Sequence, residues 1–504
     1  MKKIISILLC LCMVLPLLAG CRAENPESYV PTGDGLVTEE EDVVKTVTTD
    51  GTQSFSLAYY PEAGLDPIYC MDYTNRVIFP LVYQSLFSVN RNNEVTPILC
   101  ESYKVSSDLR TYTFTMNPKA TFSDGTPVTA EDASDSLHEA WDSDYYGGRF
   151  THVDYIYAPD SQYLVIGLTQ ACGDLPRLLD IPIAKWKEGS EIPIGSGPYV
   201  LGGTEGNRFL TRRTGWWCKS NDLLITAERI VLKEAESVVD VRDFFEFSDT
   251  GVVCTDPGSD WYTEYRCDYE LWDCETGIFV YLGFNMYSGL FQNAAVRQAV
   301  LKGIDRQKLS DTYYRGFAFP TELPTSPNSP YYSATLAQNY AYDQAAFLNL
   351  MSANGVQGRT VYLLVNSDDS LRVRVAQEIS NMLNACGLIV TVDARASDDF
   401  VDALDAGDYD LYLAQTKLSP NMDLSHFFSA EGELSYGGLA NINYYTLCLK
   451  ALENEGNAYT FYQTIMDEAL LCPILFRGYA VYAARGLMTN LAPTRDNLFY
   501  YTIQ

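Results

Sequence analysis

Histidine is nearly missing from this chain of 504 residues. It has three, His138, His152 and His426, and none falls in a metal-ligand spacing, which argues against a zinc hydrolase and leaves no expected metal or cofactor. Basic residues are also scarce, 35 Lys and Arg against 65 Asp and Glu, so the formal charge is −30. That excess repels phosphate backbones, which argues against a nucleic-acid partner. No G-x-x-x-x-G-K-[ST], H-E-x-x-H or G-x-S-x-G occurs, so the commonest nucleotide, zinc and serine-hydrolase signatures are all absent. Gly195-Ser196-Gly197 has the wrong spacing for a nucleophile elbow and is followed by Pro198. Beyond the first twenty residues there is no run of eighteen apolar residues. Nor is there a repeat of solenoid length. Apolar residues make up 47% and charged residues 20%, an ordinary globular balance that excludes a largely disordered chain.

What is plentiful is tyrosine, at 37 residues. Its flat apolar face and polar tip both suit surfaces that meet ligands. The beginning of the chain is equally distinctive. Lys2 and Lys3 precede an apolar run from Ile4 to Leu18, broken only by Ser6 and Pro16, and small residues follow. This is the pattern of an export signal over residues 1–20. Leu18-Ala19-Gly20-Cys21 resembles the bacterial lipobox, in which Cys21 would be lipidated and become the new N-terminus. Residues 21–47 contain Pro26, Pro31, Gly33, Gly35 and an acidic block at Glu39–Asp42, with Tyr29 as the one aromatic. Such a stretch cannot build a core and reads as a tether. Of the thirteen cysteines, ten lie beyond Cys21, with no C-x-x-C among them. Disulfides and scattered thiols both remain open, Cys267 and Cys274 being nearest in sequence.

The clearest fold signal lies at residues 360–414. Thr360–Val365, Leu388–Val392 and Tyr409–Ala414 read as buried strands. Between them, Val375, Ile379, Met382, Leu383 and Cys386 recur at helical spacing before Gly387, and Ser397 caps a helix carrying Phe400, Val401 and Leu404. A β-α-β-α-β run of this kind makes a parallel sheet with right-handed crossovers. Its ligands sit beyond the carboxyl ends of the strands, which nominates the polar loop from Gln415 to Ser425 as one wall of a site. Elsewhere, residues 111–116 alternate as a half-buried strand, Thr129 starts a capping box, and Asn293 and Asp343 cap further helices.

Several ordered segments carry a family resemblance. Phe122-Ser123-Asp124-Gly125-Thr126-Pro127-Val128-Thr129-Ala130-Glu131-Asp132 resembles the signature of family 5 extracellular solute-binding proteins, the oligopeptide-, dipeptide- and nickel-binding components of ATP-binding-cassette (ABC) importers. Leu65-Asp66-Pro67, Val82–Phe87, Pro193–Tyr199, Gly283-Phe284-Asn285 with Val296–Ala299, and Tyr462-Gln463 through Pro473-Ile474 agree in the family's order. The resemblance implies an α/β, two-lobed fold of the type II periplasmic-binding-protein kind, with an extra subdomain and a hinge between lobes. Domain I is expected at 48–70, 190–283 and 465–504, domain II at 71–189 and domain III at 284–464, with solute held between domains I and III. Gly195 and Gly197 form either a hinge or a plain tight turn. Arg297 is expected as a structural ion-pair partner.

The implied function is capture of a small solute, with peptide first, and delivery to ABC permease subunits without chemistry. The implied place is the outer face of the cell membrane, or the periplasm where an outer membrane exists, with attachment through the lipid on Cys21. The residues expected at the solute are Tyr60, Glu62, Tyr83, Lys417, Asn421 and Asp423. One departure bears on the substrate. Peptide-binding members carry Gly-Trp and then an Asp that pairs with the peptide ammonium, whereas here the Gly-Trp positions read Gln415-Thr416 and the Asp falls near Ser419. Either Asp423 substitutes or the solute lacks a free ammonium, since a buried ammonium without a counter-charge is costly. Sugars or modified peptides then stand as alternatives, with Trp216-Trp217 facing the solute or packing a core. A surface glycoside or peptide hydrolase is the rival of another class, because distant carboxylates can meet in a fold. A surface interaction protein that no longer transports is the third.

Overall fold

The computed structural model describes residues 55–187, 189–190, 192–218, 227–488 and 491–499. The expected export signal, Cys21 and the tether lie outside them.

The β-α-β-α-β reading from sequence corresponds to a parallel unit. Strands Thr360–Asn366, Ile389–Arg395 and Leu411–Lys417 alternate with helices Ser370–Asn384 and Ser397–Ala406. The first strand lies between the other two and pairs with both in parallel. The run Leu363–Val365 is fully buried, as expected for a strand covered on both faces. Val375, Ile379 and Leu383 are buried on the inner face of the first helix. Two details differ from the sequence reading. Ser397 is the first helical residue and Ala396 the cap; the Ser397 N–H is satisfied by the Asp368 carboxylate at 3.1 Å, from the neighbouring strand's loop. Val401 is exposed, because Phe400, Ala403 and Leu404 already fill the buried arc of a 3.6-residue turn.

This unit joins a larger mixed sheet through two unusually long antiparallel strands, Tyr269–Phe284 and Leu471–Ala484. Their ends belong to different cores. Phe279–Phe284 and Leu471–Phe476 pack with the parallel unit and its helices, while Trp272, Cys274, Val481 and Ala483 pack with Phe55–Tyr59, Tyr199 and Leu498. Between them the pairing jumps from Glu275↔Gly478 to Phe279↔Phe476, so Thr276, Gly277 and Ile278 face Arg477 alone. Gly277 has a φ of 75°, which a side chain would strain. The two-lobed α/β architecture is thus stitched by one strand pair that runs through both cores.

A third core, spanning Ile68 to Ile183, lies under a four-stranded antiparallel sheet with the strand order Cys100–Val105, Thr111–Met116, Tyr163–Leu168, Val153–Tyr157. Tyr112, Phe114 and Met116 point inward and the intervening threonines outward, the alternation expected of a half-covered sheet. Helix Ala130–Trp141 packs against it and opens with a complete capping box, in which the Thr129 hydroxyl receives the Asp132 N–H and Asp132 receives the Thr129 N–H. Thr129→Ala is expected to lower stability by about 1 kcal/mol, measurable as a reduced denaturation midpoint with an unchanged slope.

Arg297 makes no ion pair among the described residues. It is buried and donates to the carbonyls of Ala469, Phe291, Gln292 and Glu468, closing chain ends that would otherwise be unsatisfied. Among the described residues, the cysteines other than Cys218 are free thiols. Trp216 and Trp217 are tied within the protein: both indole N–H groups donate to the Ser196 carbonyl, at 2.9 and 3.2 Å.

Candidate functional site

The strand Leu411–Lys417 delivers its polar loop to a crevice between cores. On one wall stand Thr416, Lys417, Ser419, Asp423 and His426; on the other stand Trp141, Gly148, Phe150 and Thr151. The cavity between them holds about 570 Å3, within the range of small-solute sites. The facing wall comes from the stretch expected as domain II. Two narrower clefts of about 80 Å3 are lined among others by Tyr83 and Asp180, and by Glu275, Gly277 and Met422, with the Thr494–Asp496 segment contributing to both.

Polar contacts bridge the crevice. His152 Nε2 approaches Asp423 Oδ2 at 3.0 Å. Thr151 Oγ1 and His426 Nε2 lie 3.2 Å apart, and Asn421 Nδ2 reaches Cys172 Sγ at 3.9 Å. Gly173 donates its N–H to the Leu452 carbonyl at 2.9 Å, and a methyl group there would overlap Glu453 O at 2.3 Å. The structure therefore shows the crevice with its walls in contact.

A charge cluster lies beside the cavity. Asp496 accepts from Arg149 at 2.5 Å and from the Tyr145 hydroxyl at 2.7 Å, with Arg76 3.9 Å away. Burial pushes the Asp496 carboxyl upward, but Arg149, Lys417, Arg495 and Arg76 outweigh it and hold the group well below the usual carboxylate range. Asp180 pairs with the same Arg149; burial, with Asp496 nearby, leaves its net shift upward. Arg495 donates to the Leu418 carbonyl at 2.6 Å and presses on Gly277.

Of the residues expected from sequence, Lys417, Asn421 and Asp423 come together on one wall. Asn421 and Asp423 are buried and engaged within the protein: Asn421 accepts from Ser419, and Asp423 from the Ser425 N–H and hydroxyl at 2.8 and 3.0 Å. Burial raises the Asp423 carboxyl, yet His152 and Ser425 more than offset it and leave the group lowered. Tyr83 is buried in the narrow cleft, its hydroxyl on the Pro193 carbonyl at 3.0 Å. Tyr60 and Glu62 lie away from the crevice. Tyr60 packs beside the core around Phe245 and Tyr482, and Glu62 is exposed in a short turn.

Gly195 and Gly197 form a locked turn. Gly197 donates to the Val82 carbonyl at 2.8 Å, and Gly195 accepts from Ser123 at 2.9 Å. Neither has a positive φ; what demands glycine is the closeness of the Val82 backbone. Sequence reading missed Tyr145, Arg149, His152, Arg495 and Asp496. One signal was present: Arg495-Asp496 is the sole charged pair after Arg485 in an otherwise uncharged end segment.

Comparison with known proteins fits this arrangement. The family model for bacterial extracellular solute-binding proteins, family 5 Middle, matches residues 94–432, more than half of the chain. The chain belongs to that family. Its kind serves ABC importers by binding peptides or other small solutes outside the cell. The solute-binding protein is 26% identical over 350 residues to the glutathione-binding protein GsiB of Pectobacterium atrosepticum, covering 66% of this chain and 67% of that one. In structure it is similar to the ABC transporter substrate-binding protein CtaP of Listeria monocytogenes, with a TM-score of 0.71 and 18% identity, covering 89% of this chain and 98% of the other. It is equally similar, at TM-score 0.71 and 16% identity, to the unliganded open form of the periplasmic murein tripeptide-binding protein MppA, covering 90% and 98%. Among the described residues, the solute-binding protein has no helix long and apolar enough to cross a membrane, and no cluster of three His, Cys, Asp or Glu side chains fit to hold a metal ion.

Proposed function

We propose that the protein is the lipid-anchored substrate-binding component of an ABC importer, and that it captures peptides in the crevice beyond Lys417 and hands them unaltered to the permease. The observation that carries this reading is the cavity of about 570 Å3 lined from two cores at the carboxyl end of the parallel strand Leu411–Lys417. The names of two relatives, one for glutathione and one for murein tripeptide, support peptide as the class. Closure is a rotation of one lobe on the other. Its pivot is the break at Thr276–Ile278 in the shared strand pair, where Gly277 supplies backbone freedom. Gly195 and Gly197 act as a fixed brace. Attachment is through lipid on Cys21, so Cys21→Ser is expected to release the protein from the membrane fraction.

Calorimetric titration against short-peptide mixtures tests the substrate reading, with mass spectrometry of any solute that co-purifies. Saturable heat with peptides is expected. Heat with oligosaccharides alone would move the protein to a sugar receptor, and turnover of a glycoside or peptide would overturn the reading altogether.

A further inference from the structure

The acidic balance of the chain is reversed in the charge cluster beside the cavity. Arg76, Arg149, Lys417 and Arg495 face one another there, with Asp180 and Asp496 as the carboxylates set among them. Both carboxylates are taken: Asp496 by Arg149 and Tyr145, and Asp180 by Arg149. Asp423, on the same wall as Lys417, is held by His152 and Ser425. Among the described residues, Lys417 has no carboxylate within ion-pair distance. Its ammonium instead lies 3.3 Å from the centre of the Tyr145 ring, the ring against which the Arg76 guanidinium stacks at 3.4 Å. A ring face attracts a cation but does not neutralise it.

Lys417 is an exposed residue that lines the cavity, while protein encloses its amine on most sides. It is thus an amine at the edge of a site shaped for a small molecule, with no carboxylate within ion-pair distance. Thr416 lines the same space and offers a hydroxyl.

We propose that Lys417 is the anion-recognising residue of the crevice, and that the solute carries a free carboxylate seated on it. This rests on the reading of the crevice as the solute site. Of the two alternatives left open by the sequence, it sets aside an ammonium on Asp423: the charge fixed by this loop is the solute's negative end.

Proton linkage supplies an independent signature. Burial, with Arg495, Arg149 and Arg76, lowers the empty-site Lys417 to about 6, against the opposing pull of Asp496. A carboxylate in the cavity favours the protonated amine, so binding above that pH takes up a proton. Affinity then falls as pH rises from 6 to 8. Tyr145, Arg149, Arg76, Arg495, Asp496 and Asp180 form the surrounding charge cluster, and Asp423, His426 and exposed Glu433 border the cavity, with His152 behind Asp423. Both histidines remain in a lysine variant, so a pH dependence lost with Lys417 is assigned to Lys417.

The test uses the full chain, a tripeptide mixture with free C-termini and the same mixture amidated, each titrated at pH 6 and pH 8 by thermal shift. Wild type is expected to prefer the free acids by about tenfold or more, and more strongly at pH 6. Lys417→Met should lose both the preference and its pH dependence. Lys417→Arg should keep the preference without the pH dependence, since arginine does not titrate there. It also supplies a readout should the methionine variant fold poorly. Equal binding of acids and amides by wild type would overturn the anion site and leave the receptor reading intact. Binding of neither mixture, with oligosaccharides bound instead, would overturn both.

Discussion

Asp496→Ala is expected to destabilise the protein by about 3–5 kcal/mol, the usual penalty for removing one partner of a buried ion pair. The side chain is 7% exposed and serves several donors at once: Arg149 at 2.5 Å, the Tyr145 hydroxyl at 2.7 Å and, at longer range, Arg76. Removing it leaves Arg149, itself only 4% exposed at its side chain, with Asp180 alone, and strengthens the repulsion among Arg76, Arg495 and Lys417. The pH dependence follows from the sign of the shift. The folded carboxyl is held below its unfolded value of about 3.9, so its contribution is complete above that pH and disappears as pH falls through the folded value. Urea denaturation at pH 7 should show the full difference between wild type and variant, and the two curves should converge in strong acid. A loss under 1 kcal/mol at pH 7 would mean that the cluster contributes little to the fold.

Gly195→Ala should be comparably damaging, about 3 kcal/mol, although it adds one methyl group. The new carbon would fall 1.9 Å from Val82 O, 2.7 Å from Val82 C and 2.9 Å from the Tyr83 ring. Two of those atoms are backbone and cannot rotate away. The turn also gathers donors from several directions, since Trp216, Trp217 and Arg213 all reach the Ser196 carbonyl. Displacing it disturbs the contact between the Phe79–Val82 helix and the Ser123 turn together. Gly148→Ala is the matched control, because nothing lies within 4 Å of its added carbon and its φ is not positive. Near-equal thermal midpoints for the two variants would refute the close-approach explanation.

The parallel unit was readable from sequence because its determinants are local. Strand and helix periods and the terminating Gly387 and Gly407 all act within a few residues, whereas the cap read at Ser397 was displaced by Ala396. The loop after Leu411–Lys417 followed from topology alone, since parallel strands present their carboxyl ends together. Its partners did not follow. Arg149 and Asp496 are 347 residues apart, and Thr151 and His426 are 275 apart, so no window of sequence contains both members of either pair. Asp423 showed a carboxylate in the right loop but not that His152 and Ser425 already hold it. Tyr60 packs beside the core around Phe245 and Tyr482 and Glu62 sits in a short turn, and neither lines the cavity beyond Lys417. Gly277 carried a usable hint, since a glycine inside a strand pattern marks a bulge.

That bulge has an evolutionary consequence. In a regular ladder, inserting or deleting one residue turns every later side chain to the opposite face. Along Tyr269–Phe284 the residues without a partner on Leu471–Ala484 are pooled at Thr276–Ile278, between two separately packed interiors. A length change can be absorbed there without inverting the residues that either interior selects. The alternation of Trp272 and Cys274 is thus uncoupled from that of Phe279 to Phe284, and each half of the protein is free to drift in sequence on its own schedule.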